Sequence, residues 1–207
     1  MAAPALARAL SAAASALLCA ADELNRLDGF AGDGDLGITM SEVARVLDEQ
    51  SAAGSTGEPA ELLRACGAAI ARRAPSTSGT LTATAFLRAA KAAEQGRASE
   101  LERVVACFDA AMEGVQARGK ASLGDRTVLD GLDAVCASLK ASAEGGSPLG
   151  EALRAGAEAA SRLAQATASM VPKAGRASWM AERALGHPDA GCQALAIALR
   201  AVAESFE

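Results

Sequence analysis

Residues 27–40 read LDGFAGDGDLGITM, and the interpretation of this stretch decides the fold class. Residues 32–37, GDGDLG, match the G-x-G-x-x-G fingerprint of dinucleotide-binding α/β proteins. That fingerprint requires a buried strand before it and a parallel sheet around it, and the sequence indicates neither. Two aspartates placed directly in a phosphate cradle would also repel a pyrophosphate. We therefore reject the fingerprint and, with it, an α/β fold.

Apolar residues recur at helical spacing on both sides of this stretch, and no run shows the period-two alternation that is typical of strands. The short connections between the helical segments make sequential helices antiparallel neighbours, which predicts an up-and-down bundle or barrel. One domain over residues 1–207 is expected from the length. The sequence thus predicts an all-α protein with helices at 3–27, 38–52, 58–73, 79–95, 98–118, 127–143, 148–170 and 188–205.

Composition excludes several classes of protein. Aromatic residues make up only 2% of the chain, so we expect a core of small side chains between closely packed helices. The net charge of −5 offers no basic patch for nucleic acid or for an anionic membrane. The N-terminal segment runs into acidic residues, as the first helix of a soluble domain does, rather than ending as a signal peptide. Five cysteines without a C-x-x-C pair indicate reduced thiols in a cytoplasmic protein: Cys19, Cys66, Cys107, Cys136 and Cys192.

The acidic stretch has the composition of a divalent-metal loop. Asp28, Asp33 and Asp35 are hard oxygen ligands, and the glycines between them let the backbone turn tightly enough for the carboxylates to converge. An EF-hand is excluded because the twelfth position counted from Asp33 is Ala44 instead of glutamate. Magnesium shared with substrate phosphates is the preferred interpretation. The alternative is an acidic turn that only caps a helix.

A phosphate bound to such a metal needs donors opposite it. Residues 74–84, APSTSGTLTAT, place Ser76, Thr77 and Ser78 at the start of a helix, where free amides and the helix dipole favour an anion. An ordinary helix cap is the alternative interpretation. Residues 114–121, GVQARGKA, nearly match a P-loop, but Ala121 replaces the metal-binding hydroxyl residue and no strand precedes them. We reject this second match.

The segment 171–188 is the longest stretch that the sequence predicts to be irregular, and such a loop in a compact domain is usually functional. Arg176 could neutralise phosphate charge as a planar fork. Asp189 and Gly191 begin the last predicted helix, where backbone amides are again free. His187 is the only histidine, and we interpret it as a hydrogen-bonded loop residue because the sequence supplies no partners for a catalytic triad.

Four stretches together resemble the nucleotide-binding L subunit, or L domain, of the dihydroxyacetone kinases, and the resemblance covers nearly the whole chain. The stretch at 173–191 is the most distinctive of the four. The four stretches are LDGFAGDGDLGITM at 27–40, STSGTL at 76–81, RGKASLGDRT at 118–127 and KAGRASWMAERALGHPDAG at 173–191.

The resemblance implies a barrel of eight antiparallel helices with the nucleotide, ADP or ATP, in the loops at one end. It implies two Mg2+ ions held by Asp28, Asp33 and Asp35, which with Arg176 form the catalytic set. It also implies a partner K subunit that binds dihydroxyacetone covalently through its own histidine and receives the phosphoryl group. The nucleotide contacts implied are Leu36, Gly37, Ile38, Thr39, Thr77, Ser78, Gly119, Val128, Arg176, Asp189, Ala190 and Gly191.

One position departs from the family pattern. Many relatives have histidine where this chain has Leu36, so one side-chain contact to the nucleotide is lost. The phosphoryl donor stays open as a result, because some relatives exchange ATP freely whereas others retain ADP that a phosphotransferase-system protein recharges. Two other functions also remain open: a nucleotide-loaded module that signals through a transcriptional regulator, and a kinase component for another acceptor, either another ketose or a fatty acid.

Overall fold

The computed structural model describes residues 2–54, 57–97 and 99–206, and within them it contains helices and no strand. The start of the helix predicted at 98–118 lies outside the described residues. The α-helices are α1 (Ala3–Cys19), α2 (Ala21–Ala31), α3 (Leu36–Gly54), α4 (Pro59–Arg73), α5 (Thr77–Ala93), α6 (Glu100–Gly119), α7 (Val128–Glu144), α8 (Leu149–Ala166), α9 (Ala181–Ala184) and α10 (Ala190–Glu204). Short 3-10 turns lie at Thr167–Ser169 and Arg176–Met180.

Two predicted elements differ from the structure. The helix predicted at 3–27 is two helices, α1 and α2, bent by 63°. The segment predicted as an irregular loop at 171–188 contains the 3-10 turn Arg176–Met180 and the single-turn helix α9. Both differences place short helices across one end of the molecule, where α2, α9 and the 3-10 turn pack on one another.

Eight helices form a closed ring. In the order α1, α3, α4, α5, α6, α7, α8 and α10, each helix packs against the next, and α10 packs back against α1. Sequential helices of the ring run in opposite directions, so the starts of α3, α5, α7 and α10 lie at the same end of the barrel. We call this end the loop end. The predicted up-and-down barrel is confirmed, and its topology places the four family-like stretches at that end.

Local sequence determines where these helices begin. The Ser76 side chain accepts a hydrogen bond from the Gly79 amide, 3.0 Å away, at the start of α5. Thr127 caps α7, and Asp130 Oδ2 accepts a hydrogen bond from the Thr127 amide at 2.8 Å. Asp189 accepts from the Cys192 amide at 2.8 Å and begins α10. Three of the four loop-end helices that carry site residues thus start at a side-chain cap.

The core consists of leucine, valine and many alanines, as the composition predicts. Leu24, Ile70 and Leu129 are almost completely buried, and each contributes about 1.5–3 kcal/mol by leaving water. Cys66, Cys136 and Cys192 are buried thiols, whereas Cys19 is exposed. Among the described residues no single helix is long and apolar enough to cross a membrane, and α1 with α2 meets that test only as a bent pair.

Candidate functional site

The acidic loop lies between α2 and α3 at the loop end of the barrel. Asp28, in the last turn of α2, uses Oδ2 to accept hydrogen bonds from the amides of Gly34 and Asp35 at 2.9 and 3.0 Å. Gly34 has a φ of 77°, which a side chain would disfavour. Asp28 is half-buried, and Asp33 and Asp35 are exposed. The turn therefore holds one carboxylate in place and presents the other two to solvent.

The three carboxylates fit a magnesium ion in chemistry and nearly in spacing. Mg2+ takes oxygen ligands at about 2.0–2.1 Å in an octahedron, so two of its ligand oxygens lie at most about 4.2 Å apart. One oxygen from each of Asp28, Asp33 and Asp35 lies within 4.8 Å of the others. Asp33 and Asp35 are exposed, so their side chains have room to rotate toward a shared ion. Close packing also limits the loop, because a Cβ at Gly32 would lie 2.7 Å from Asp28 Oδ1.

Asn25 connects the acidic loop to the start of α3. Its Oδ1 accepts hydrogen bonds from the amides of Gly37 and Ile38 at 2.7 and 3.3 Å. These are first-turn amides that have no partner within the helix. No local sequence pattern marks Asn25, because its role depends on a contact across a tight crossing of two helices.

The starts of α3 and α5 lie side by side. The hydroxyl oxygens of Thr39 and Ser76 are 3.1 Å apart, and Thr39 is buried with 8% exposure. Thr77 and Ser78 are the first residues of α5 and follow that contact directly. Ile38, in contrast, is 64% exposed. Two helix N-termini, each with a positive dipole end, thus converge beside the acidic loop.

The segment 171–188 folds over the acidic loop and the last turns of α2 through three contacts. Arg176 forms an ion pair with Asp33. Arg183 donates to the carbonyl oxygen of Gly29 at 3.1 Å. The ring of His187 stacks on Phe30 with a centroid separation of 3.5 Å and an interplanar angle of 2°. His187 lies in the loop before α10, where its amide donates to the carbonyl oxygen of Ala184 at 3.2 Å and its ring packs against an apolar partner.

Arg126 holds the same segment from the other side. It is 3% exposed, and its Nη2 donates to the carbonyl oxygens of Ala184 and His187 at 2.9 and 2.6 Å. Burial lowers the pKa of this guanidinium, and the nearby Asp189 opposes that effect. Its Nε and Nη1 are buried and have no hydrogen-bond partner among the described residues. Sequence reasoning missed this residue, because its φ of 62° and its partners 58 and 61 positions away leave no local signal.

The remaining predicted nucleotide contacts lie around the starts of α7 and α10. Gly119 ends α6, and Val128 begins α7. A Cβ at Gly191 would lie 3.4 Å from the Cβ of Val128, so these two helix starts are in contact. Asp189 donates its amide to Thr167 Oγ1 at 2.8 Å, and burial raises the pKa of its carboxyl.

This chain matches a protein-family model and is similar to several known proteins. The DAK2 domain model matches residues 30–204. The chain belongs to the DAK2 domain family. The resemblance to the L subunit of dihydroxyacetone kinases, stated above from four motifs, is thereby confirmed.

The relatives of this DAK2 domain include long enzymes and a short subunit. Human triokinase/FMN cyclase is 37% identical over 98% of this chain, which covers 35% of that protein. The ADP-binding subunit DhaL of the PEP-dependent dihydroxyacetone kinase of Escherichia coli is 32% identical over 87% of this chain and 86% of its own length. The DAK2 domain thus spans about a third of the first and most of the second.

A solved structure with the same fold contains a nucleotide analogue. The dihydroxyacetone kinase of C. freundii in complex with AMP-PNP and Mg2+ superposes with a TM-score of 0.76 at 28% identity. The superposition covers 97% of this chain and 33% of that one. This DAK2 domain therefore has the all-α fold of the nucleotide-binding domain of a dihydroxyacetone kinase.

Proposed function

We propose that this domain binds a magnesium–adenine nucleotide at the loop end of the barrel and donates its terminal phosphoryl group to dihydroxyacetone or a related short ketose. The ketose is held by a separate K-type subunit, without which the domain is inactive. The observation that carries the proposal is the convergence of three carboxylates, within 4.8 Å, beside two adjoining helix N-termini.

Each group at the loop end has a role in this proposal. Asp28, Asp33 and Asp35 hold two Mg2+ ions, which neutralise phosphate charge when they are bound. The amides of Thr77 and Ser78 at the start of α5, together with the positive dipole ends of α3 and α5, orient the phosphates. Arg176 supplies a further positive charge. The residues proposed to contact the nucleotide are Leu36, Gly37, Ile38, Thr39, Thr77, Ser78, Gly119, Val128, Arg176, Asp189, Ala190 and Gly191.

Phosphoryl transfer of this kind depends on positioning and on charge neutralisation more than on a base within the domain. The only histidine of the chain, His187, has its ring stacked on Phe30, so we assign it no proton transfer. Any base that activates the acceptor hydroxyl then comes from the ketose-binding partner. The proposal leaves two donors open: free ATP, or a phosphotransferase-system protein that recharges retained ADP.

Calorimetric titration with ADP, in the presence and absence of Mg2+, tests the site. We expect magnesium-dependent binding that Asp33→Asn abolishes while the circular dichroism spectrum stays helical. The matched control is Asp48→Asn, an exposed aspartate of α3 that accepts from the Ser11 hydroxyl and lies about three turns away from the loop end. Binding that survives Asp33→Asn, with the control unchanged, would exclude the assigned metal loop.

The donor and the acceptor are tested with the intact protein. Nucleotide released by denaturation is identified, and exchange of labelled ATP into the native site is measured. Retained ADP that does not exchange assigns the phosphotransferase-system donor, whereas free exchange assigns ATP. Transfer of label to dihydroxyacetone is then assayed with a K subunit. A loaded domain that transfers nothing to any ketose in that assay would favour a regulatory binding module instead.

A further inference from the structure

The ion pair between Arg176 and Asp33 joins two parts of the proposed site. These residues are 143 positions apart, and their side chains are 71% and 46% exposed. The contact joins Nη1 of the arginine to Oδ2 of the aspartate. Arg176 begins the 3-10 turn Arg176–Met180, which packs on α2. A guanidinium therefore lies against a carboxylate of the same cluster that is assigned to the metal.

A guanidinium and a magnesium ion cannot share one carboxylate oxygen at low cost. Mg2+ requires that oxygen at about 2.0–2.1 Å. Two positive charges that approach the same oxygen repel each other, and screening by water at these exposed side chains reduces that repulsion without removing it. Binding of a bare ion at Asp33 thus requires Arg176 to leave. In that case the arginine loses its anionic partner and gains none.

A metal–nucleotide complex changes this balance. Phosphate oxygens accept bidentate hydrogen bonds from arginine as carboxylates do. If the phosphates enter together with the metal, Arg176 exchanges one anionic partner for another. The metal then takes Asp33 without leaving an unpaired guanidinium.

We propose that Arg176 is the residue that makes this site select the metal–nucleotide complex over the free metal ion. In the empty site it is the counter-ion of Asp33 and competes with the ion, and it transfers to the phosphates when the complex binds. The inference rests on the proposed function, because it requires both the metal loop and a phosphate ligand.

Another arginine of the same segment serves as a matched control. Arg183 is exposed and reaches the acidic stretch, but it donates to the backbone carbonyl of Gly29 and not to a carboxylate. Its replacement removes the same charge from the same segment. Any effect that arises only from lost positive charge near the loop appears in both variants.

Binding of Mn2+, as a probe for Mg2+, separates the two roles of Arg176. With nucleotide-free protein and Mn2+ alone, Arg176→Gln should bind about two- to fivefold more tightly than wild type, the range expected for loss of an exposed competing ion pair. With Mn2+ and ADP together, the same variant should bind about tenfold more weakly, because a charge-assisted contact is lost. Arg183→Gln should change both affinities by less than about twofold.

The opposite signs of these two effects make the test decisive. If Arg176→Gln binds Mn2+ alone no better than wild type, the competition does not exist and the inference is wrong, while wild-type binding of Mn2+–ADP keeps the proposed function. If wild type binds Mn2+–ADP no better than Asp33→Asn does, the proposed function fails as well.

Trp179 provides a second readout that does not depend on activity. It is the only tryptophan, lies three positions after Arg176 and is 92% exposed. Saturating Mg2+ alone should change its fluorescence in wild type, because the ion pair that holds the 3-10 turn breaks. In Arg176→Gln the same addition should produce no change. Equal responses in the two proteins would overturn the proposal.

Discussion

A Cβ atom built at Gly37 would lie 1.9 Å from the carbonyl oxygen of Ala21, so the first turn of α3 touches the first residue of α2 through the backbone alone. No heavy side-chain atom fits at this crossing. The contact sets the position of the α3 amides relative to the acidic loop, which lies between the same two helices. The proposed phosphate and metal sites therefore depend on one glycine.

Gly37→Ala should destabilise the protein by at least about 2 kcal/mol, because the new methyl group meets a rigid backbone oxygen. Urea unfolding measures the loss. Gly29→Ala is the matched control in the same stretch, since a Cβ there has no neighbour within 4 Å. This control should be neutral or stabilising by up to about 1 kcal/mol, as expected for alanine in a helix. Equal stability of the two variants would contradict the close crossing.

Asn25→Ala should lower the free energy of unfolding by about 1–2 kcal/mol, because the amides of Gly37 and Ile38 lose their acceptor. Asn25→Asp should recover most of that loss, since a carboxylate also accepts these bonds and is favoured at a helix N-terminus. Chemical denaturation of the three proteins at pH 7 provides the comparison. A loss that is as large in the aspartate variant would mean that the side chain acts through its shape and not through the bonds.

The Phe30–His187 stack should contribute a coupling free energy of about 0.5–1.5 kcal/mol to folding, the range found for aromatic pairs. A double-mutant cycle with Phe30→Ala and His187→Ala isolates this term from the separate effects of each truncation. The backbone carbonyl of His187 still accepts from Arg126 in every member of the cycle. Additivity within about 0.3 kcal/mol would show that the rings do not stabilise each other.

Asp189→Asn should stabilise the protein at pH 7 relative to wild type. Burial raises the folded-state pKa of Asp189 above its unfolded value, so its favourable contribution is complete below the unfolded pKa and is lost as the pH rises through the folded pKa. Asparagine keeps an oxygen that accepts from the Cys192 amide but does not ionise. Urea unfolding between pH 4 and pH 7 should show that the free energy of unfolding of the variant, relative to that of wild type, increases with pH. A constant difference over that range would contradict the pKa shift.

Much of the fold could be predicted because its signals are local. The helical spacing of apolar residues predicted the all-α class and all the ring helices, and Ser76 and Asp189 mark the starts of two of them. The break at Ala20 was not predicted, since no glycine or proline marks it. The break arises because α1 packs within the ring, against α3 and α10, whereas α2 packs across the end of the barrel against α9 and the 3-10 turn Arg176–Met180.

The site likewise contains residues that the sequence predicted and residues that it could not. Asp28, Asp33 and Asp35 lie within eight residues, so their type and spacing alone predicted a metal loop. Arg126 and Asn25 could not be assigned, because their partners are backbone groups whose positions follow from the crossing of distant segments. The nucleotide contacts implied by the family resemblance stay predictions for the experiments above.

The sequence by itself determined the helical class, the oxygen-ligand composition of the acidic loop and the family, since periodicity and residue type are properties of short segments. Only the tertiary structure decided that Arg176 pairs with Asp33 and that His187 stacks on Phe30. The physical reason is that both contacts join residues far apart in the chain. Such contacts form only when the closed ring of helices brings the acidic loop and the segment before α10 to one end.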